Sequence, residues 1–140
     1  MNMKKIKQER NIDHKKALMA VVIQPLIACK QSGVMFTVNP VSNSNDEIFI
    51  NASWGLGESV VSEQVAGDEY IVNKANEDIK FKKINNKDIE IVQLPKGIKR
   101  IQVDDEKRNQ QCLSDKQIKK LASIGLKIEA YFGYPQDIEW

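Results

Sequence analysis

The sequence predicts an α+β fold with a largely antiparallel sheet and a C-terminal amphipathic helix packed on it. Apolar runs of strand length are separated by turn-forming residues, a polar loop joins two of them, and helical periodicity is clear near the C-terminus. A chain of 140 residues with 41% hydrophobic content is long enough for one domain with a core and too short for two ordinary ones.

The first half of the chain carries the clearest strand signals. Residues 18–24 form a continuous apolar run that stops at Pro25, which predicts a strand buried on both faces. Residues 33–38 and 47–52 predict two further strands. Because a short polar loop joins these two strands, we expect them to form an antiparallel hairpin.

The middle of the chain gives weaker signals. Residues 59–64 favour a short helix or turn, and residues 69–73 predict another strand. Between residues 74 and 91, apolar residues alternate weakly with lysine and asparagine, which predicts exposed-face strands linked by a turn at Asn85-Asn86. Residues 92–111 are the least interpretable stretch.

The clearest helix follows Ser114. Ser114 and Gln117 have the spacing of a capping box, in which the serine accepts the N3 amide hydrogen and the glutamine reaches back. The apolar positions that fall on one helical face are Ile118, Leu121, Gly125, Ile128 and Phe132. Gly133 predicts a left-handed stop, and residues 136–140 predict the beginning of a strand.

Charge and composition argue against several functions. The net charge of +2 hides an acidic stretch, residues 17–73, with one basic and six acidic side chains, which disfavours nucleic-acid binding. No apolar run approaches the roughly 20 residues that cross a bilayer, and no signal peptide follows the basic N-terminal segment, residues 1–11. We therefore expect a cytoplasmic protein without a membrane partner. Cys29 and Cys112 lack metal-ligand spacing, which predicts reduced thiols.

Two carboxylates near the C-terminus are candidate metal ligands. Asp137 and Glu139 lie two apart on a predicted strand, so both should leave the same face, roughly 6.5 to 7 Å apart at the backbone, with Ile138 on the other side. Magnesium takes oxygen ligands, commonly one or two carboxylates together with phosphate oxygens. The pair could hold a metal–nucleotide complex, and the alternative is two edge-strand acids that meet lysines.

Two further segments are candidates for nucleotide contacts. The turn Gly55-Leu56-Gly57-Glu58 would let backbone amides approach a phosphate, and a plain turn is the alternative. Val60 stands where a dinucleotide fingerprint has its third glycine. Gln24-Pro25-Leu26 could offer backbone groups to a purine edge, and a simple strand terminus is the alternative.

Five ordered blocks resemble a known family. The blocks are Met19-Ala20-Val21-Val22-Ile23-Gln24, Ser32-Gly33-Val34-Met35-Phe36-Thr37 with Asn39-Pro40, Ile50-Asn51-Ala52-Ser53-Trp54-Gly55-Leu56-Gly57-Glu58, Asp68-Glu69-Tyr70, and Gln136-Asp137-Ile138-Glu139-Trp140. In order and spacing they resemble the ATP-binding domain of phosphoenolpyruvate synthase and pyruvate phosphate dikinase, which is shared with rifampicin phosphotransferase and has an ATP-grasp fold. The resemblance covers residues 12–140, which look like a partial domain comprising most of its second lobe.

The resemblance implies that ATP lies between two lobes with Mg²⁺ near its phosphates. A phosphoryl group would pass to a histidine on a swivelling domain and on to an acceptor such as pyruvate. It also implies that Glu139 and Asp137 bind metal and nucleotide, that Gln24, Pro25 and Leu26 touch adenine, and that the glycine turn with Glu58 lies near the phosphates.

The family's first lobe and phosphohistidine domain have no counterpart in these residues. The resemblance therefore implies that they are supplied in cis or by a separate chain, and that this chain alone does not turn over. Two alternatives stay open: a fragment of a rifampicin phosphotransferase, and a non-catalytic remnant or accessory interaction module.

Overall fold

The computed structural model describes residues 21, 23, 25–57 and 66–140. The strands are β1 (Gln31–Phe36), β2 (Glu47–Trp54), β3 (Asp68–Asn73), β4 (Ile79–Lys83), β5 (Ile89–Gln93), β6 (Ile98–Gln102) and β7 (Asp137–Glu139), and the helices are α1 (Asp105–Arg108) and α2 (Asp115–Phe132). An antiparallel sheet has the strand order β4-β3-β2-β1-β7, and β5 and β6 form a separate antiparallel pair. The α+β fold with a mostly antiparallel sheet and a C-terminal helix is confirmed.

The register places the end of the chain beside the first hairpin. The predicted hairpin of β1 and β2 is present, and β7 pairs with the free side of β1. Glu139 lies opposite Val34, and Val34 lies opposite Asn51, so these three residues form one row across three strands. In the next row Asp137 lies opposite Phe36.

Alternation along the strands divides the sheet into a core face and an exposed face. Met35, Ile50 and Tyr70 are buried on the core face together with Ile118 and Ala122 of α2. Burial of each large side chain contributes roughly 1.5–3 kcal/mol. The opposite face, called the outer face below, carries the side chains of Val34, Phe36, Phe49, Asn51, Glu69, Ile71, Phe81, Asp137 and Glu139.

Local sequence sets both ends of α2. The Ser114 side chain accepts from the Gln117 amide while the Gln117 side chain accepts from the Ser114 amide, so the predicted capping box is present. Gly133 has a φ of 78° and its amide donates to the Glu129 carbonyl, as the predicted left-handed stop requires.

The predicted apolar face of α2 is only partly correct. The buried positions are Ile118, Ala122 and Gly125, which follow each other by four and three residues. Phe132 was expected on this face but is 52% exposed. Its ring packs edge-on against Tyr131, 5.1 Å away between centroids, instead of against the core.

Replacing Ser114 by alanine should lower the free energy of unfolding by about 1 kcal/mol, because the first turn of α2 loses its capping acceptor. Urea denaturation followed by tryptophan fluorescence measures this loss. Ser123→Ala, inside the same helix, is the matched control and should cause no loss, since alanine is the better helix former. An equal loss in the two variants would contradict the capping role.

Two expectations for the strands need correction. The buried strand predicted over residues 18–24 is wrong at the two of its residues that the structure describes, since Val21 and Ile23 are 71% and 94% exposed and lie outside any strand. A strand is buried on both faces only if other elements pack against each face. Among the described residues, no such packing buries Val21 and Ile23. The helix or turn predicted for residues 59–64 lies outside the described residues.

The strands expected between residues 74 and 91 are present as β4 and β5, but they do not pair with each other. β5 pairs with β6 instead, through a turn that contains Gly97 with a φ of 88°. The Asn85 amide donates to Asp68 Oδ1 and its side chain to the Gly67 carbonyl, so Asn85 anchors the connection to the start of β3.

Cys29 and Cys112 are free thiols; Cys29 is exposed and Cys112 is buried. The helices of the described residues include none that is long and apolar enough to span a membrane.

Candidate functional site

Strand β7 presents the two predicted carboxylates together. Asp137 and Glu139 are exposed on the outer face, whereas Ile138 is half-buried and packs against the core, as the alternation predicted. Backbone hydrogen bonds of 3.0 Å in both directions between Gly33 and Trp140 fix the end of the strand.

Gly33 is required for this approach of β7 to β1. A Cβ atom at this position would lie 2.0 Å from the Asn51 carbonyl oxygen and 2.8 Å from the Trp140 ring. Since backbone atoms of a central strand cannot move aside, any larger residue would push the strands apart. The position of the two carboxylates therefore depends on this glycine.

The carboxylates of Asp137 and Glu139 have no hydrogen-bond or ion-pair partner in the described part of the chain. That part also contains no group of three or more His, Cys, Asp and Glu side chains that could hold a metal ion. Magnesium does not need such a cage, because one or two carboxylates suffice when phosphate oxygens and water complete its shell. The pair fits a cation that arrives with a phosphorylated ligand.

Other acidic side chains of the outer face are neutralised by lysines. Glu47 accepts from Lys80 at 2.6 Å, and this hydrogen bond lowers the pKa of Glu47. Glu69 accepts from Lys83 at 3.0 Å. Such exposed ion pairs contribute little stability. Asp137 and Glu139 differ from these acids, because no lysine of the described residues forms an ion pair with either of them.

The predicted adenine segment is only partly described. Gln24 lies outside the described residues, and Pro25 and Leu26 are exposed and belong to no helix or strand. No hydrogen bond within the described residues joins Pro25 or Leu26 to Asp137 or Glu139. Their role as nucleotide contacts stays a prediction.

The glycine turn is described as far as Gly57. Gly55 has a φ of 77°, and a Cβ atom there would lie 2.4 Å from the Ile91 carbonyl oxygen. The Gly55 amide donates to the Lys30 carbonyl and the Leu56 amide to the Ile91 carbonyl, at 2.9 and 2.8 Å. These two amides are therefore occupied by backbone carbonyls, and Glu58 lies outside the described residues.

The comparisons with known proteins show the family of the chain. A family model described as "Pyruvate phosphate dikinase, AMP/ATP-binding domain" matches residues 5–140. The chain belongs to this family. The family resemblance inferred from the five sequence blocks is thereby confirmed.

Relatives of this AMP/ATP-binding domain family are much longer proteins. The chain is 45% identical over 139 residues to "Phosphoenolpyruvate synthase" of Pyrococcus furiosus, a match that covers 94% of this chain and 17% of the relative. It is 47% identical over 135 residues to "Probable phosphoenolpyruvate synthase" of Methanocaldococcus jannaschii, which covers 96% of this chain and 11% of the relative. The chain thus spans less than a fifth of either relative.

In this AMP/ATP-binding domain, the outer face also has an apolar part that the sequence did not single out. A groove with a volume of about 480 Å³ lies over β2, β3 and β4. Its lining residues are Asn39, Val41, Ser42, Glu47, Phe49, Glu69, Ile71, Lys80 and Phe81. The outer face therefore divides into an apolar row that contains Phe49 and Ile71 and a polar row that contains Asn51 and Glu139.

The AMP/ATP-binding domain also contains a buried polar network that sequence reasoning missed. Asp68 accepts from Lys87 at 2.5 Å, and both side chains are fully buried. The same carboxylate accepts from the Tyr70 hydroxyl and the Cys112 amide, at 3.0 and 2.9 Å. Burial raises the pKa of Tyr70, and burial together with Asp68 raises the pKa of Cys112 to about 12. The Tyr70 hydroxyl and the Cys112 thiol therefore stay protonated at neutral pH, and neither is activated as a nucleophile. We interpret the network as a structural element.

Proposed function

We propose that the chain is the ATP- and magnesium-binding part of a phosphotransferase. In this proposal the phosphoryl group passes from ATP to a histidine on a separate domain and then to an acceptor such as pyruvate, in the manner of a phosphoenolpyruvate synthase. The observation that carries the proposal is the family match over residues 5–140 together with Asp137 and Glu139 side by side on the exposed face of β7.

The geometry of β7 supports a metal–phosphate role. Asp137 and Glu139 would hold Mg²⁺ with carboxylate oxygens, and Gln24-Pro25-Leu26 would contact the adenine. Magnesium, when bound, neutralises phosphate charge in the transition state of phosphoryl transfer. The protein's own part is to fix the two carboxylates on a strand whose partner, β1, is held by the core.

The proposal requires parts beyond these residues. Phosphoryl transfer depends on several cationic contacts to the phosphates, and Lys80 and Lys83 of the described outer face are already paired with Glu47 and Glu69. We propose that a first lobe supplies those contacts within an ATP-grasp architecture, and that a phosphohistidine domain accepts the phosphoryl group. Both would come from the same polypeptide or from a separate chain.

Titration of the chain with ATP tests the proposal. We expect weak binding, with a dissociation constant above about 100 μM, because only part of the phosphate contacts is present. Magnesium should strengthen binding, and the Asp137→Asn, Glu139→Gln double variant should abolish that magnesium effect. Backbone amide shifts of β7, followed by NMR on ¹⁵N-labelled chain, report the binding.

The matched control is the Asp104→Asn, Glu106→Gln double variant, which removes two exposed acids at α1, away from the outer face. It should keep the magnesium effect, because its altered residues lie outside the proposed site. The proposal is wrong if ATP shifts the NMR signals of the β7 amides equally with and without magnesium. It is also wrong if these signals do not shift at about 10 mM ATP in the presence of magnesium.

A further inference from the structure

Two side-chain oxygens of β2, Asn51 Oδ1 and Ser53 Oγ, are buried without a hydrogen-bond partner in the described structure, and Asn51 is the one that lies in the row of Glu139. Asn51 lies on β2 and points to the outer face, where it stands in the same row as Val34 and Glu139. Its Oδ1 is buried and accepts no hydrogen bond. No described residue bonds its Nδ2 either.

With the exception of Ser53, the other polar side chains that β1, β2 and β3 place on this face have partners. Glu47 and Glu69 are paired with lysines, and the Ser32 hydroxyl donates to the Gly55 carbonyl at 2.6 Å. A buried amide oxygen without a partner costs roughly 1–3 kcal/mol, and an apolar side chain would avoid this cost on a strand whose next outer-face residue is Phe49. Stability alone therefore does not explain an asparagine here.

The neighbouring backbone sets the orientation of the amide. A Cβ atom at Gly67 would lie 2.1 Å from Asn51 Oδ1, so the amide oxygen occupies the space that the glycine leaves open. Since the carboxamide is planar, its Nδ2 is the end that is turned away from Gly67. Two N–H donors are thereby left for a group outside the described structure.

We infer that Asn51 binds the phosphate chain of the nucleotide and donates from Nδ2 to a phosphate oxygen. The inference rests on the proposed function, in which Glu139 holds the cation. Glu139 and Asn51 are separated by one strand, so their backbones are about 9.6 Å apart. A cation bound to carboxylate oxygen at about 2.1 Å, followed by one phosphate group, fills that gap over Val34.

A donor at this position complements the carboxylates chemically. Asp137 and Glu139 repel phosphate unless a cation lies between them and the ligand, whereas an amide N–H attracts phosphate directly. Asn51 would therefore fix the far side of the phosphate group relative to the cation. It acts as a binding and positioning residue and takes no part in bond making.

NMR titration of the ¹⁵N-labelled chain with Mg²⁺ and ATP tests the inference at the group itself. Asn51→Asp removes the side-chain NH₂ signals and so assigns them in the unmodified chain. We expect these signals to shift on titration together with the β7 amides. Asn51→Ala should raise the dissociation constant about tenfold, and Asn51→Asp should raise it further because a carboxylate repels phosphate.

Asn86→Ala is the matched control, since Asn86 is exposed on the connection between β4 and β5. It should leave the affinity unchanged, and the ¹⁵N spectrum of each variant shows whether the fold is kept. If the β7 amides respond to Mg²⁺ and ATP but the Asn51 NH₂ signals do not, the inference fails while the proposed function stands. Tighter binding by Asn51→Asp would also overturn it, because it would make the residue a metal ligand and not a donor. If β7 itself fails to respond, the proposed function fails, and the inference fails with it.

Discussion

Replacing Lys87 by methionine is expected to lower the free energy of unfolding by about 3–5 kcal/mol. The Lys87 ammonium and the Asp68 carboxylate are both fully buried and lie 2.5 Å apart. Methionine has a similar volume but no charge, so the variant leaves a carboxylate in the interior without its counter-ion. A large part of a typical domain's stability of about 5–15 kcal/mol would be lost.

Lys82→Met is the matched control for this experiment. Lys82 also forms an ion pair at 2.5 Å, with Asp115, but the two side chains are 32% and 61% exposed. Water solvates the remaining Asp115 carboxylate after the substitution, so the loss should be within about 1 kcal/mol. Urea denaturation of both variants at pH 7 gives the comparison, and equal losses would show that the buried pair is not a special stabilising element.

The double variant Asp68→Asn, Lys87→Met separates two effects: the loss of the attraction between the two charges, and the cost of leaving one buried charge without its counter-ion. With both charges removed, the remaining donors to position 68, including the Cys112 amide, face a neutral side chain. We expect this variant to be more stable than Lys87→Met alone, because a buried unpaired charge is the larger penalty. A double variant as unstable as Lys87→Met or less stable would contradict that explanation.

The sequence predicted those parts of the fold that depend on neighbouring residues. The capping box at Ser114 and the stop at Gly133 are local signals, and both are confirmed. Alternation placed Asp137 and Glu139 on one face for the same reason, since side-chain direction along a strand is set by the strand itself.

What the sequence missed depends on contacts between distant residues. In the sequence, Lys87 cannot be told apart from the exposed lysines near it. It is buried because it pairs with Asp68, the first residue of β3, which is distant in the sequence. The pair β5–β6 was missed although a Pro-Lys-Gly turn separates two apolar segments, because the alternation beside it is weak. Asn51 could not be identified as a candidate binding residue from the sequence, because only the strand register aligns it with Glu139 across β1.

Glu139→Gln is expected to remove most phosphoryl transfer when this domain works inside a complete enzyme. A suitable enzyme is the phosphoenolpyruvate synthase of Pyrococcus furiosus with its matching segment replaced by residues 5–140 of this chain, since the two are 45% identical over 139 residues. The glutamine is isosteric and exposed at a strand end, so the fold should be kept. Formation of labelled phosphohistidine from ATP, at a magnesium concentration that just saturates the unmodified enzyme, measures the transfer.

The expected loss is about a hundredfold or more. An amide oxygen is a poorer magnesium ligand than a carboxylate, and metal stabilisation of phosphate charge contributes several kcal/mol to the barrier. Each roughly 1.4 kcal/mol corresponds to a factor of ten in rate. Asp137→Asn should cost less, about 10- to 100-fold, if this residue orients the metal ligand and does not bind the metal itself.

Two controls make this result specific to the metal site. Glu106→Gln changes an exposed acid on α1 and should leave the rate unchanged, and thermal melts of each variant should confirm folding. Raising the magnesium concentration should partly restore the Glu139→Gln rate, because a weakened site is filled at higher metal concentration. Transfer at the unmodified rate in Glu139→Gln would show that the carboxylate is not a metal ligand. Asp137 and Glu139 would then be ordinary acids on the exposed face of an edge strand, and the cation would have to be held by residues outside β7.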